Sequence, residues 1–371
     1  MNAEAREKKI IQTSIIGIIA NIFLAAFKAG VGIVSHSVAI VLDAVNNLSD
    51  ALSSLITIIG TKLAGKAPDK KHPLGHGRIE YLSTMIIAVI ILYAGITSLV
   101  ESVKKILHPE TPDYSAVTLI IVAVAVAVKI LLGTYVKKTG QQVGSDALVA
   151  SGSDAMFDSI ISASTLVAAV IFLATGIKLE AWLGAAISLV IIKSGYEMLQ
   201  DTISDILGKR VEADLARAVK ASITSFPEVT GAYDLVVHNY GPNLLIGSVH
   251  IEIPDTMKAD EIDLLERAIQ AKVTEENGVV MTGISVYSLN TSNPKAKEMR
   301  LQIRKMLDEY PEILQMHGFY LDDTAKTIRF DAIIDFAAKD RMATFQEICG
   351  RVQKMYPDYK PQITMDFDIS D

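Results

Sequence analysis

Apolar residues run nearly unbroken for a helix-length at a time between residues 10 and 207, parted by short polar joins. A helix that crosses a bilayer needs about 20 mostly apolar residues. Six stretches reach that length: 10–34, 38–63, 79–107, 116–135, 147–175 and 181–207. The first reads as a membrane helix rather than a cleaved leader, because its apolar run is too long and no small-residue cleavage site closes it. After Gly208 the pattern changes to short amphipathic segments. Period-3.6 spacing predicts a helix over 213–226 and another over 259–275. Alternating residues predict strands at 232–238, 245–253 and 279–289, the first two parted by the turn Tyr240-Gly241-Pro242-Asn243.

The same order then recurs. Helices are predicted over 294–309 and 340–356, and strands near 314–321, 327–336 and 361–368. Tyr310-Pro311-Glu312-Ile313 echoes Phe226-Pro227-Glu228-Val229, 84 residues earlier. An αββαβ order of this length fits a ferredoxin-like α+β module, and its recurrence reads as a tandem repeat. The expected architecture is a six-helix α transmembrane domain over 1–208, followed by two tandem ferredoxin-like modules over 209–291 and 292–371.

Composition sharpens this picture. Half of the 371 residues are apolar, 21% are charged and the net charge is −7. The mean hydropathy is +0.34. A single soluble globule, a disordered chain and a coiled coil are excluded. A net negative chain with no dense basic stripe argues against nucleic-acid binding. The single cysteine, Cys349, excludes a disulfide framework and any multi-cysteine metal cluster. Lys and Arg crowd one set of span ends, from Arg6, Lys8 and Lys9 through Lys62–Arg78 to Lys137, Lys138, Lys209 and Arg210. The other set holds only Lys104, Lys105 and Lys178. The positive-inside bias predicts that both termini are cytoplasmic.

Carboxylates inside the spans carry the chemistry. The second span holds Asp43, Asn46, Asn47 and Asp50, and the fifth holds Asp154 and Asp158. A charge at mid-membrane costs about 2.5–3.5 kcal/mol, so such groups face a protein interior and mark a function. Asn46 and Asp50 share a helix face, as do Asp154 and Asp158, each pair being i and i+4. Four converging oxygen groups suit a divalent cation. With no His or Cys in either stripe, the donor set is hard and favours Mn²⁺, Mg²⁺ or Ca²⁺ over Zn²⁺, while Fe²⁺ and Co²⁺ can also enter. Lys28, Lys129 and Lys193 also fall within spans, where they either snorkel or pair with an Asp. The loop between spans two and three places Asp69, His72 and His76 at spacings that allow a second, softer metal site, or merely a solvated basic loop.

At these residues the chain resembles the cation diffusion facilitator family. The resemblance rests on Asp43-Ala44-Val45-Asn46-Asn47-Leu48-Ser49-Asp50, on His72-Pro73-Leu74-Gly75-His76-Gly77-Arg78, and on Asp154-Ala155-Met156-Phe157-Asp158. It covers about residues 10–290 and implies a dimeric exporter that exchanges a divalent metal for protons. Carried over, the transport site is Asn46, Asp50, Asp154 and Asp158. Zinc-type members commonly place His or Asp where this chain has Asn46, and His where it has Asp154, so the set resembles the manganese-type branch. Asp43 would stand behind the ligands, orienting one or relaying a proton. Asp69, His72 and His76 match positions that hold a weaker metal in relatives, and Arg78 with Asp205 matches a salt bridge between the membrane and cytoplasmic parts. Relatives also bind metal in the cytoplasmic domain, but here only His250 matches such a position, while Tyr233 and Tyr287 stand where His is expected. The second module goes beyond the usual family length and offers only His317 and Cys349 as soft donors. Dimer packing, regulation or partner binding is expected of it.

The expected function is therefore Mn²⁺/H⁺ antiport out of the cytoplasm, by a multi-pass homodimer in the lipid bilayer of the cell membrane, without a prosthetic group. The alternatives are an exporter of Zn²⁺, Fe²⁺ or Co²⁺ and a passive divalent cation channel. An intramembrane aspartyl protease would need a Gly-x-Gly-Asp motif, which Gly152-Ser153-Asp154 only half fits. The chain is not expected to be an enzyme.

Overall fold

The computed structural model describes residues 3–34, 38–108, 116–175, 179–241 and 244–367. Within its helices, the side chains of residues 31–34, 38–46 and 49 are among those outside the described set, and these include Asp43 and Asn46. The chain divides into two compact units, Met1–Lys209 with Tyr240–Asn243, and Arg210–Asn239 with Leu244–Asp371.

The first unit holds six long helices among the described residues: α1 (Ala3–Val34), α2 (Val38–Ala64), α3 (Ile79–Leu107), α4 (Ala116–Val143), α5 (Asp146–Thr175) and α6 (Glu180–Leu207). Among the described residues, α1, α3, α4, α5 and α6 each hold a stretch long and apolar enough to cross a membrane. Side-chain placement is inverted relative to a water-soluble bundle. Ile19, Phe23, Leu131 and Trp182 are more than 60% exposed, whereas Thr13, Asn21, Lys28, Asn47 and Lys129 are buried. Such a surface suits hydrocarbon, where interiors are held by small and polar groups rather than by water-driven burial.

Helix α4 runs two turns past the predicted end at residue 135. Lys137 and Lys138 lower the hydropathy there without ending the helix. Val136, Thr139 and Val143 recur at helical spacing and stay buried. The closest pairs are α4 with α5, α1 with α2, and α3 with α6. Glycines permit the approach of α4 and α5. A Cβ on Gly152 would lie 2.4 Å from Lys137 N, and one on Gly140 would lie 2.7 Å from Val149 N. The two backbones therefore touch, the packing that small residues allow in membranes. This places the carboxylates of α5 beside the polar face of α4.

A buried ion pair ties three segments of this unit together. The Arg6 guanidinium donates to both carboxylate oxygens of Glu80, at 3.1 and 2.8 Å, and to the carbonyls of Val143 and Gly144. Both side chains are at most 9% exposed. Removing one partner of such a pair costs about 3–5 kcal/mol, because the other charge is left buried and uncompensated. Glu80→Ala should lower the unfolding midpoint of detergent-solubilised protein sharply, and Glu80→Gln should lower it less. Equal midpoints for Glu80→Ala and the parent would show that the pair contributes nothing.

The second unit holds α7 (Ala213–Thr224), β1 (Gly231–Asn239), β2 (Leu245–Pro254), α8 (Ala259–Asn277) and β3 (Val279–Leu289). It continues with α9 (Pro294–Leu307), β4 (Ile313–Asp322), β5 (Thr327–Ile334), α10 (Arg341–Met355) and β6 (Lys360–Asp366). The αββαβ order occurs twice, as expected. Each half forms its own three-stranded sheet, β1-β2-β3 and β4-β5-β6, with an antiparallel then a parallel pairing. A complete β-α-β-β-α-β unit has a fourth strand. Neither half has room for one among the described residues: α7 begins six residues after α6 ends, and α9 five after β3. Each half packs a separate apolar core, one around Leu235, Ile251 and Ile269, the other around Ile303, Phe330 and Ile348. The Asn293 side chain caps α9 by accepting from Lys295 N and Ala296 N, with Pro294 at the first helical position.

The repeat extends to a shared irregularity. Register shifts interrupt β1–β2 after Tyr233 and β4–β5 after His317. The residue that follows takes a left-handed conformation in each case, Asp234 at φ +54° and Gly318 at φ +64°. In the two ladders Tyr233 pairs with His250, and His317 pairs with Asp331. The β-bulge is thus repeated at equivalent places, and bulges re-aim the side chains next to them.

Candidate metal centre

The α4–α5 contact sets Lys129 among carboxylates from two other helices. Its ammonium donates to Asp50 of α2 at 2.8 Å and to Asp158 of α5. The Lys129 side chain is 4% exposed, that of Asp50 16%, and that of Asp158 40%. Asp154, one turn before Asp158, opens with Asp50 onto a cavity also lined by Asn21, Ser54 and Ser151. That cavity has about 10 Å³ of space for water, roughly one water-sized sphere. A fully hydrated cation does not fit, so an ion entering here exchanges water for protein oxygens.

Asp50, Asp154 and Asp158 are therefore brought together. Asn46 and Asp43 lie on the described backbone of α2, but their side chains are outside the described residues. Two buried amides were not assigned to the site from sequence. Asn21 of α1 lines the cavity. Asn47 is fully buried, and neither its amide oxygen nor its nitrogen has a hydrogen-bond partner. Asn21 shares one face of α1 with Ser14 and Lys28 at heptad spacing, the signal that could have found it, and Asn47 is hidden inside a run of more prominent acids. For Lys129 the sequence left snorkelling and pairing open, and the geometry is pairing.

The loop between α2 and α3 gathers Asp69, His72 and His76. Asp69 Oδ1 lies 3.4 Å from His72 Nδ1, and its Oδ2 lies 3.5 Å from His76 Nε2. The imidazole rings are 4.5 Å apart. The backbone N–H of His72, helped by that of Lys71 and by the Lys66 ammonium, holds the Asp69 carboxyl at about 2, so it is ionised across the physiological range. The His76 side chain is 9% exposed, and its Nδ1 has no hydrogen-bond partner. The Arg78 guanidinium stacks 4.1 Å above the Tyr240 ring.

His250, on β2, lies with Nδ1 2.9 Å from Asp234 Oδ2. That hydrogen bond pushes its imidazolium up from the ordinary histidine value, against the opposing effect of burial. Cys349 lies on α10 as a free, partly buried thiol.

Long apolar helices that gather three carboxylates and a lysine, in a chain that also holds an α/β unit, suit a membrane protein that handles cations. The family model for the cation efflux transmembrane domain matches residues 14–207. The chain belongs to this family, the cation diffusion facilitators, whose members are transporters and not enzymes. It is 26% identical to an uncharacterized transporter of Methanocaldococcus jannaschii over 70% of this chain and 91% of that one. It is 25% identical to the magnetosome protein MamB of a Magnetospira species, over 69% and 87%. It is 26% identical to the manganese efflux system protein MneP of Bacillus subtilis, over 61% and 78%. The protein is a multi-pass membrane transporter of divalent metal cations.

Proposed function

We propose that the chain exports a hard divalent cation, Mn²⁺ first, from the cytoplasm in exchange for protons. The carrying observation is the cluster of Asp50, Asp154 and Asp158 on facing helices, with no thiolate or imidazole in the polar stripes. Such donors favour Mn²⁺ over Zn²⁺, and the likeness to a protein described as a manganese efflux protein supports the same ion. Asn46 completes the ligand set, and Asp43 stands behind it. In this reading α2 is the sixth span, both termini are cytoplasmic, and the protein is a homodimer of the cell membrane. Its cytoplasmic part, over 209–291 and 292–371, is two ferredoxin-like modules lacking a first strand. Arg78 pairs with Asp205 at the base of the spans, and Asp69, His72 and His76 form a weaker loop site.

The mechanism follows from charge. Three carboxylates so close cannot all stay ionised without a cation nearby. The Lys129 ammonium is one such cation for Asp50 and Asp158. An arriving Mn²⁺ displaces the ammonium and takes oxygens from Asp50, Asp154, Asp158 and Asn46. When the ion leaves on the far side, a proton and the returning ammonium neutralise the cluster, which shares its titration. Metal and proton compete for one site, so an inward proton gradient drives metal outward.

The test is flux of Mn²⁺, Zn²⁺, Fe²⁺ and Co²⁺ in proteoliposomes, with and without a pH gradient. Mn²⁺ flux should be largest and should follow the gradient, and Asn46→His should shift preference toward Zn²⁺. Flux indifferent to the gradient would make the protein a passive channel. A parent that prefers Zn²⁺ would overturn the assignment of the ion.

A further inference from the structure

The repeated bulges bring residues of both halves of the second unit to one point. His317 of β4 is fully buried. Its Nε2 lies 3.1 Å from Asp234 Oδ1 of β1 and 3.5 Å from Asp366 Oδ2 of β6. Yet neither ring nitrogen has a hydrogen-bond partner, nor does Asp234 Oδ1, because the close atoms lie off the hydrogen-bonding directions. The other oxygen of Asp234 is well held, by the Tyr287 hydroxyl at 2.7 Å and by His250 Nδ1 at 2.9 Å. The same hydroxyl lies 2.7 Å from Asp331. One hydroxyl carries one proton and satisfies one of the two carboxylates as donor. Tyr233 stacks on the His317 ring at 4.9 Å, and His250 stacks on Tyr287 at 4.7 Å.

A buried polar atom left without a partner costs about 1–3 kcal/mol. Two of these atoms, His317 Nε2 and Asp234 Oδ1, face each other and call for something to bind them. Ligand atoms held at about 2.0–2.2 Å from a tetrahedral metal stand roughly 3.3–3.6 Å apart. The separations of 3.1 and 3.5 Å fall close to that range, and all three donor atoms lie within 4.8 Å of one another.

We propose that Asp234, His317 and Asp366 hold a first-row divalent transition metal ion at the junction of the two αββαβ modules. His250 and Tyr287 fix the orientation of Asp234 from its other side. The mixed imidazole and carboxylate donors are softer than the all-oxygen set in the spans, so Zn²⁺ and Co²⁺ bind here more readily than Mg²⁺ or Ca²⁺. Because β1 supplies one ligand and β4 and β6 the others, an occupied site clasps the modules together. This gives the second module a task that the first cannot perform alone: Tyr233 and Gly318 occupy the positions equivalent to His317 and Asp234, so a single module lacks a full ligand set. The proposal does not depend on the transport reading.

The test uses the full chain in detergent carrying Asp50→Asn, Asp154→Asn and His76→Ala, which removes ligands of the span and loop sites. Co²⁺ is the probe, followed by its visible d–d absorption and by equilibrium dialysis. One Co²⁺ per chain should remain bound in this background and be lost in both His317→Ala and Asp366→Asn. Zn²⁺ should raise the unfolding midpoint of the background protein and leave those two variants unmoved. If His317→Ala fails to fold, Asp366→Asn, whose side chain is partly exposed, carries the test. Absence of retained Co²⁺ in the background, or retention undiminished by Asp366→Asn, overturns the proposal. Neither result touches transport, since the span ligands are already removed and no flux is read.

Discussion

Asp154→Ala is expected to reduce proton-driven Mn²⁺ flux in proteoliposomes by at least about 100-fold, since even the outer partners of metal ligands cost 10–100-fold when lost. The residue opens onto the same small cavity as Asp50, and no other carboxylate among those lining it can replace its charge. Asp50→Ala should have an equal effect, and the double variant should lose little more, because a site missing one ligand is already disabled. Far-UV circular dichroism and the Arg6–Glu80 pair serve as controls for folding, since that pair lies on other segments of the first unit. Wild-type flux in either single variant would place the transport site elsewhere.

Lys129→Met is expected to tighten Mn²⁺ binding while slowing turnover. The ammonium bridges Asp50 and Asp158. Its removal leaves the largely buried Asp50 and the partly exposed Asp158 without their shared counter-charge, a loss smaller than the roughly 3–5 kcal/mol of a fully buried pair. A divalent ion recovers part of that, so apparent affinity should rise by about tenfold or more, each tenfold being 1.4 kcal/mol. The same imbalance makes release harder, and net flux should fall. Methionine keeps the length and apolar stem of the side chain, so packing against α5 is little changed. Mn²⁺ affinity equal to or weaker than that of the parent would show that the ammonium does not compete with the ion.

The two halves of the molecule differ in how far local pattern reaches. In the soluble part, strand and helix ends follow the sequence within two residues or so, as with β3 at Val279–Leu289 and β2 at Leu245–Pro254. Amphipathic period and turn chemistry are local signals there. In the membrane part, hydropathy marks lipid contact rather than helix extent. That is why α4 continues to Val143 past two lysines that close its apolar run.

The sequence by itself determined the helices, the repeated αββαβ order, and the i, i+4 pairing of Asp154 with Asp158. It also determined the absence of imidazole and thiol from the membrane stripes. Each of these depends on residues within a turn or two of one another. Tertiary structure alone decided that Lys129 lies between Asp50 and Asp158, positions 79 and 29 residues away. It alone decided that His317 meets Asp234 and Asp366. The first depends on glycines that let α4 and α5 touch backbone to backbone, and the second on two matching bulges that turn their neighbours to one point. Which faces meet is settled by packing between distant segments, and a one-dimensional pattern records a face without naming its partner.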